Sequence, residues 1–341
     1  MSDASLTSRL LLVISDREDG HVRLFGPRLD AAGIRWRWID ADEIPAHATL
    51  SVATMPDGAR SIRWRDSLGT LDCADVGAVW YRRWRQRGTF RDGFPAYAER
   101  NGSSLVSVAA NGLFELLDVP WLPARPRQCE RAALKVAQLD AAVRAGFRVP
   151  HTVVTNDPDD AVAAWEAMGG RAVVKWLARP QLAGPDGSNN LFYTHVLTRR
   201  DLLRLDALAD GPLLFQAYVP KRTELRVTVI GSAVFAASID SQSSRVTRHD
   251  WRHYDENLAT FTAHKLPAKV AAACRSVLRS LGLAFGAVDL ILQPDGEYVF
   301  LECNPNGQWL FVEQQTGQRL SAAMVRWFAR KLARGAAATR R

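Results

Sequence analysis

The stretch Gly286–Trp309, GAVDLILQPDGEYVFLECNPNGQW, constrains this chain more than any other. Two apolar, β-rich runs, GAVDLILQ and EYVFLECN, flank Pro294-Asp295-Gly296, three residues with turn chemistry, so the stretch predicts a β-hairpin. Three oxygen-bearing side chains sit on it: Asp289 in the first strand, then Glu302 and Asn304 in the second. Glu302 and Asn304 are two apart and face one side of an extended chain. Strands paired about the turn bring Asp289 across from them. An acid inside AVDLIL or VFLECN is costly to bury unless something ionic offsets it, which argues against ordinary edge charges. Two carboxylates and a neutral amide suit Mg²⁺, a hard cation that takes oxygen ligands and completes its shell with water and phosphate. Cys303 points to the opposite face and reads as core.

The rest of the chain supplies a setting of alternating elements. Arg9–Ser15 reads as a buried strand, Glu18–Ala32 as a helix ending at Gly33, and Ile34–Ile39 as a second strand. Thr49–Ala53 and Ala59–Trp64 are weaker strands, and Val76–Arg82 is a further one. This order indicates a small α/β domain up to about residue 120. Pro95–Asp118 reads as a helix broken around Asn101-Gly102, and the proline-rich Val119–Pro126 as a boundary. Gln128–Ala145 reads as one helix, followed by a strand at His151–Thr155, a helix at Asp157–Met168 and a strand at Arg171–Leu177. Gln181–Asn190 is a Gly- and Asn-rich loop before a strand at Leu191–Val196. After a short helix at Asp201–Ala209 come a strand at Leu213–Val219 and the hairpin Glu224–Ile230/Ala233–Ile239 about Gly231-Ser232. Ser241–Ala263 is polar and irregular, Pro267–Leu281 is a helix, and Ser321–Leu332 is the last one.

At 341 residues and 47% hydrophobic content, the chain can bury the cores of two or three domains. It has no apolar run long enough to span a membrane and no signal peptide, so no membrane partner is expected. Four cysteines, far apart and without a CxxC pair, fit reduced thiols in the cytoplasm. The net charge of +8 favours phosphates, acidic peptides or nucleic acid as partners. Neither GxGxxG after the first strand nor GxxxxGK(S/T) is present, which removes the common dinucleotide and P-loop readings.

Lys175 lies mid-strand in VVKWL, ahead of the glycine-containing loop Gly184–Asn189. A lysine among Val and Trp needs an anion or must snorkel, and a phosphate is the anion expected there. Glu224 and Arg226 in TELRVTVIG share a strand face. They read either as a surface ion pair or as an acid on a ribose hydroxyl beside an arginine on a phosphate oxygen. Arg245, Arg248 and Arg252 populate the irregular stretch, which reads as a loop lining the site. His249 and His253 are four apart but lack the helix and the glutamate of a zinc motif.

The order VVKWL, loop, LLFQAYV, ELRVTVIG, DWR, GAVDLIL and VFLECNPNGQW resembles the ATP-grasp ligases. VWYRR, ELRVTVIG, IDSQ, DWRHYD and FLECNPNGQWLFVEQQTG resemble, within them, the microviridin-type peptide maturases, the graspetide synthetases. The resemblance covers about residues 9 to 330. It implies an α/β chain of the α+β ATP-grasp class in three parts. These are an N-terminal pre-ATP-grasp α/β domain (1–120), a central or lid domain (121–200) and a C-terminal ATP-grasp domain with an antiparallel sheet (201–330), followed by a basic tail (331–341). It implies ATP and Mg²⁺ as cofactors. Lys135 and Lys175 would contact ATP phosphates, and Gln216, Ala217, Tyr218 and Val219 would form the hinge strand against adenine. Glu224 would hold the ribose, and Arg226 and Arg252 would face phosphate or an acyl intermediate. Asp289, Glu302 and Asn304 would hold Mg²⁺. The partner would be a precursor peptide, with a leader docked on the central domain and an acidic core. Its Asp or Glu side chains would be joined to Ser/Thr hydroxyls or Lys amines as macrolactones or macrolactams. A homodimer is carried over as a family expectation. Two other readings compete: a glutamate-type ATP-grasp ligase adding an amino acid to a peptide or protein terminus, and a nucleic-acid binder using the Trp/Arg clusters near Trp36 and Trp80. The resemblance predicts no nucleic-acid partner.

Overall fold

The structure is a computed structural model describing residues 9–83, 88–177, 182–183, 189–190, 194–205, 208, 211–241 and 260–338. The run LLLVI forms β1 (Leu10–Ile14), followed by α1 (Gly20–Ala31) and β2 (Trp36–Ile39). A meander of β3 (Thr49–Thr54), β4 (Arg60–Asp66) and β5 (Gly69–Asp72) makes a separate three-stranded sheet. The chain then returns as β6 (Val76–Tyr81), α2 (Ala96–Leu116) and β7 (Trp121–Leu122). The parallel sheet has the order β2-β1-β6-β7. Both of its faces are covered, which explains why β1 is a continuous apolar run and not an alternating one. Leu12, Ile14 and Val79 pack in one core with Ala110 and Phe114 of α2, while Leu11, Val13 and Trp80 share the other with Phe25 of α1.

Two short helices follow, α3 (Pro126–Ala132) and α4 (Lys135–Arg144), and then β8 (Thr152–Thr155), α5 (Pro158–Ala167) and β9 (Ala172–Lys175). The two-residue strands β10 (Leu182–Ala183) and β11 (Asn189–Asn190) pair with each other. With β12 (His195–Val196), α6 (Arg199–Leu202) and β13 (Leu213–Ala217), the chain completes an antiparallel sheet of order β12-β9-β13-β8. The last sheet is antiparallel too, with the order β16-β15-β14-β17-β18. Its strands are β14 (Thr223–Ile230), β15 (Ala233–Ile239), β16 (Phe261–His264), β17 (Phe285–Leu292) and β18 (Tyr298–Asn304). Against it lie α7 (Ala268–Ser280), α8 (Leu310–Thr316) and α9 (Leu320–Ala338). Phe328 and Leu332 of α9 share a core with Trp80 of the first sheet and Ile230 of the last, so α9 joins the two. Among the described residues, no helix is long and apolar enough to cross a membrane.

Several elements differ from the sequence reading for local reasons. The helix expected to break at Asn101-Gly102 is continuous. A Cβ on Gly102 would lie 2.5 Å from the Phe90 ring, so this glycine admits a close neighbour and does not interrupt the helix. The proline-rich Val119–Pro126 contains a strand, β7, hydrogen-bonded to β6. The single helix expected at Gln128–Ala145 is two, because Leu134 is extended and the Gln138 amide donates to the Ala132 carbonyl at the end of α3 (2.7 Å). The end of the irregular Ser241–Ala263 forms the edge strand β16 against β15.

The site rests on apolar side chains under β17 and β18. Phe300 is fully buried there, tilted against Phe147 with ring centroids 5.9 Å apart. Phe300→Ala is expected to lower the unfolding free energy by about 3–5 kcal/mol, measured by urea denaturation. A loss under about 1 kcal/mol would contradict this placement.

Candidate functional site

The hairpin forms as its residue types dictate. Gly296 takes a positive φ of 92°, and the Asp295 carboxylate accepts from the Glu297 N–H at 3.0 Å. Asp289 pairs with Glu302, and Ala287 with Asn304. The register shifts between Asp289 and Leu290, leaving Leu301 as an extra residue on β18. Bulges of this kind re-aim side chains. Here the Asn304 amide donates to Asp289 Oδ2 (3.3 Å) and to Glu302 Oε1 (3.1 Å). The three predicted oxygen ligands therefore converge.

Each carboxylate meets a cation from a different part of the chain. Arg226 pairs with Asp289 across β14 and β17, and its Nη1 donates to Asp289 Oδ1 at 2.8 Å, with both side chains largely buried. Lys135 Nζ donates to Glu302 Oε2. Lys135 opens α4, so the positive end of that helix also faces the carboxylate. The alignment comes from Gln138, one turn on. Its amide donates to the Cys303 carbonyl (2.6 Å) and accepts from the Cys303 N–H (2.9 Å), occupying the open edge of β18 as a neighbouring strand would. Gln138 is the side chain that sequence reasoning missed. Its only signal is a lone glutamine three residues after Lys135 in an otherwise apolar helix face.

Glu224 is buried on the same face of β14 as Arg226, and Lys221 Nζ donates to its Oε1 at 2.9 Å. On the four-stranded sheet, Lys175 Nζ donates to Gln216 Oε1 (2.9 Å), and the Gln216 amide donates to Thr152 Oγ1 (3.0 Å). Beyond Ala217 the chain leaves the sheet. Tyr218 lies under the Arg171 guanidinium at 5.0 Å, and Val219 is half-buried. Arg252, together with Arg245, Arg248, His249 and His253, lies outside the described residues, as does the loop at 184–188.

Among the described residues, no three His, Cys, Asp or Glu side chains form a cation site. The cluster is two carboxylates and an amide. Such a set fits Mg²⁺ bound chiefly through one or two carboxylates and substrate phosphates, better than an all-protein cage. Asp289 and Glu302 are already charge-compensated, and Lys135 and Arg226 are of a kind that phosphate oxygens attract.

The fold carrying this cluster is found among solved structures. A Chryseobacterium gregarium RiPP-associated ATP-grasp ligase, solved with ADP and a leader and core peptide, is 27% identical. It superposes with a TM-score of 0.87 over 95% of this chain and 97% of its own. The chain has the ATP-grasp ligase fold, and its structural neighbours support a graspetide-type ligase. The macrocyclase MdnC of Microcystis aeruginosa MRC, solved with the precursor peptide MdnA, is 25% identical with a TM-score of 0.81, covering 93% of this chain and 98% of that one. MdnB of the same strain is 27% identical with a TM-score of 0.76, at the same coverage. No protein-family model matches the chain, and no curated protein matches it in sequence. The likeness to these ligases thus lies in the backbone fold, which carries the cluster described above.

Cys303, between two of the oxygen ligands, faces inward in the ligase. Burial, followed by the nearby Asp289 charge, pushes its thiol far up, and burial holds those of Cys73, Cys129 and Cys274 at about 12. At pH 8 all four stay protonated and unreactive. Ellman's reagent is expected to titrate none of them in the folded ligase and all of them after unfolding in urea. Rapid native labelling at Cys303 would contradict its place in the core.

Proposed function

We propose that this ligase activates Asp or Glu side-chain carboxylates of a ribosomal precursor peptide with ATP and joins them to Ser/Thr hydroxyls or Lys amines of the same peptide. The observation that carries the reading is the convergence of Asp289, Glu302 and Asn304 with Lys135 and Arg226 on one ribbon. The fold matches a RiPP-associated ligase solved with ADP and its leader and core peptides.

The chemistry follows from charge. A carboxylate resists attack because its oxygen is a poor leaving group. A carboxylate oxygen attacks the γ-phosphorus, the bond to ADP breaks, and an acyl phosphate forms. A hydroxyl or amine then attacks the acyl carbon and gives up its proton as phosphate departs. The peptide loses one water for each ring, and ATP becomes ADP and phosphate. Asp289, Glu302 and Asn304 would hold Mg²⁺, which when bound offsets charge on the transferring phosphoryl group. Lys135 and Arg226 exchange their carboxylate partners for phosphate oxygens, and Lys175 turns from the Gln216 amide oxygen to a phosphate on the side of the other sheet. Glu224 takes the ribose hydroxyls, and Gln216–Val219 offers the adenine its backbone. Arg252 belongs to the same proposal beside Arg226. An acidic core peptide suits a chain of net charge +8.

A glutamate-type amino-acid ligase would share this nucleotide machinery. Product mass separates the two, with loss of water from one peptide on our reading and gain of an amino-acid residue on the other. A nucleic-acid reading draws on the Trp/Arg clusters near Trp36 and Trp80, of which several described members are engaged within the fold. Trp80 is buried, the Trp36 and Trp38 indoles donate to Asp30 and to the Ser15 carbonyl, and Arg37 is paired with Asp66.

Metal-assisted charge stabilisation contributes several kcal/mol to such transfers. The double variant Asp289→Asn/Glu302→Gln is therefore expected to slow Mg²⁺-dependent ADP formation by about 100-fold or more. ADP release at the wild-type rate, measured by a coupled assay, would remove the basis of this proposal.

A further inference from the structure

One buried ion pair has no part in the mechanism above. Asp19, the N-cap of α1, and Arg82, just past β6, have side chains 1% and 2% exposed, and Arg82 Nε donates to Asp19 Oδ2 at 3.2 Å. Burial pushes the Asp19 carboxyl up. Hydrogen bonds from His21 and Ser15 and the Arg82 charge outweigh it and hold the group far below the usual carboxylate range. Desolvating two charges cancels most of their attraction, so stability alone is a poor reason for the pair.

Its location is informative. In the order β2-β1-β6-β7 the winding reverses between β1 and β6, and beyond the carboxyl ends of such strands lies the crevice that serves ligand sites in parallel sheets. The turn after β18 enters this crevice. Arg82 Nη1 donates to the Asn306 carbonyl at 3.5 Å. Asp19 accepts from the His21 N–H (2.9 Å), and His21 Nε2 accepts from the Trp309 N–H (3.4 Å). The other side of the turn meets Arg226, whose Nη2 donates to the Gln308 carbonyl at 3.3 Å. A Cβ on Gly307 would sit 2.8 Å from that same Nη2 and 2.3 Å from the Ala287 Cβ. The turn is therefore gripped between two arginines, and the second of them holds Asp289. Among the described residues, Arg226 Nε and Arg82 Nη2 are buried without hydrogen-bond partners, so the carbonyls of the turn make up much of what orients each guanidinium.

We propose that Arg82, anchored on Asp19, is a positioning residue for Arg226: it fixes the 306–309 turn, and the turn fixes the Arg226 guanidinium beside Asp289 at the site of phosphoryl transfer. This rests on the reading of Arg226 as a phosphate-facing group. It makes the first sheet, which supplies none of the proposed nucleotide or metal ligands, a determinant of the geometry at the γ-phosphate.

The test measures how the full chain, with Mg²⁺, prefers the non-hydrolysable ATP analogue AMPPNP over ADP, as the ratio of dissociation constants from titration calorimetry. Arg226→Met is expected to lower that preference about tenfold or more, the worth of a charged hydrogen bond. Asp19→Asn/Arg82→Gln removes both buried charges together. It is expected to lower the preference by a similar factor while ADP affinity stays within about twofold, and to add less than about twofold when residue 226 is already Met. A structural role alone would lower the melting temperature and leave the ratio unchanged. A wild-type ratio in Asp19→Asn/Arg82→Gln, or full additivity with Arg226→Met, overturns the positioning role and leaves the proposed function standing. A wild-type ratio in Arg226→Met itself withdraws the phosphate-facing reading, and the positioning role with it. If the charge-removed variant does not fold, Arg82→Lys decides, because an ammonium can face Asp19 but cannot span to the Asn306 carbonyl. The same loss of preference is expected, and a wild-type ratio overturns the proposal.

Discussion

Two carboxylates on one face of a buried hairpin repel each other and resist desolvation, and the architecture around them answers that constraint. Asp289 is matched by Arg226 from the neighbouring strand, and Glu302 by Lys135 from a helix more than 150 residues earlier. The Asn304 amide bridges the two acids. Each of these groups is costly alone in a low-dielectric setting, and together they form a compensated cluster. The same compensation makes the cluster suited to exchange. A divalent cation can replace the two cationic side chains at the acids, and phosphate oxygens can take up the side chains displaced.

This cluster needs four segments held in register, and each has a visible cause. The bulge at Leu301 turns Glu302 and Asn304 onto the face of Asp289. Antiparallel pairing of β14 with β17 sets Arg226 beside that acid. Gln138 closes the free edge of β18 with two hydrogen bonds to Cys303 and so delivers the start of α4 to Glu302. The turn after β18 is clamped from the first sheet, where Trp309 packs edge-on to Phe25 and Phe25 to Trp80. A site assembled from distant parts of the chain therefore draws its rigidity from two sheets and the helix α9 that joins them.

Much of this was legible in the residues, because the strongest signals were local. A turn triplet between apolar runs marks the β17–β18 hairpin, and period two sets Cys303 inward and its neighbours outward. Gly231-Ser232 marks the β14–β15 hairpin in the same way. What was not legible depended on tertiary context. Lys135 looks like any exposed lysine of an amphipathic helix, and only resemblance to a family singled it out. The break before it at Leu134 follows from Gln138 reaching back to α3, which no local pattern encodes. Gly102 reads as a helix breaker until the Phe90 ring is seen against it. The strand β16 follows a polar stretch and owes its conformation to pairing with β15.

The central claim is that the Asp289–Glu302–Asn304 ribbon receives a magnesium-bound nucleotide by trading its internal ion pairs. Anomalous diffraction from crystals grown with Mn²⁺ and ADP tests this most directly. The account predicts an ion within bonding distance of Asp289, Glu302 and Asn304, with Lys135 and Arg226 drawn away from the acids toward phosphate oxygens. An ion bound elsewhere, with both ion pairs intact beside a bound ADP, would contradict it.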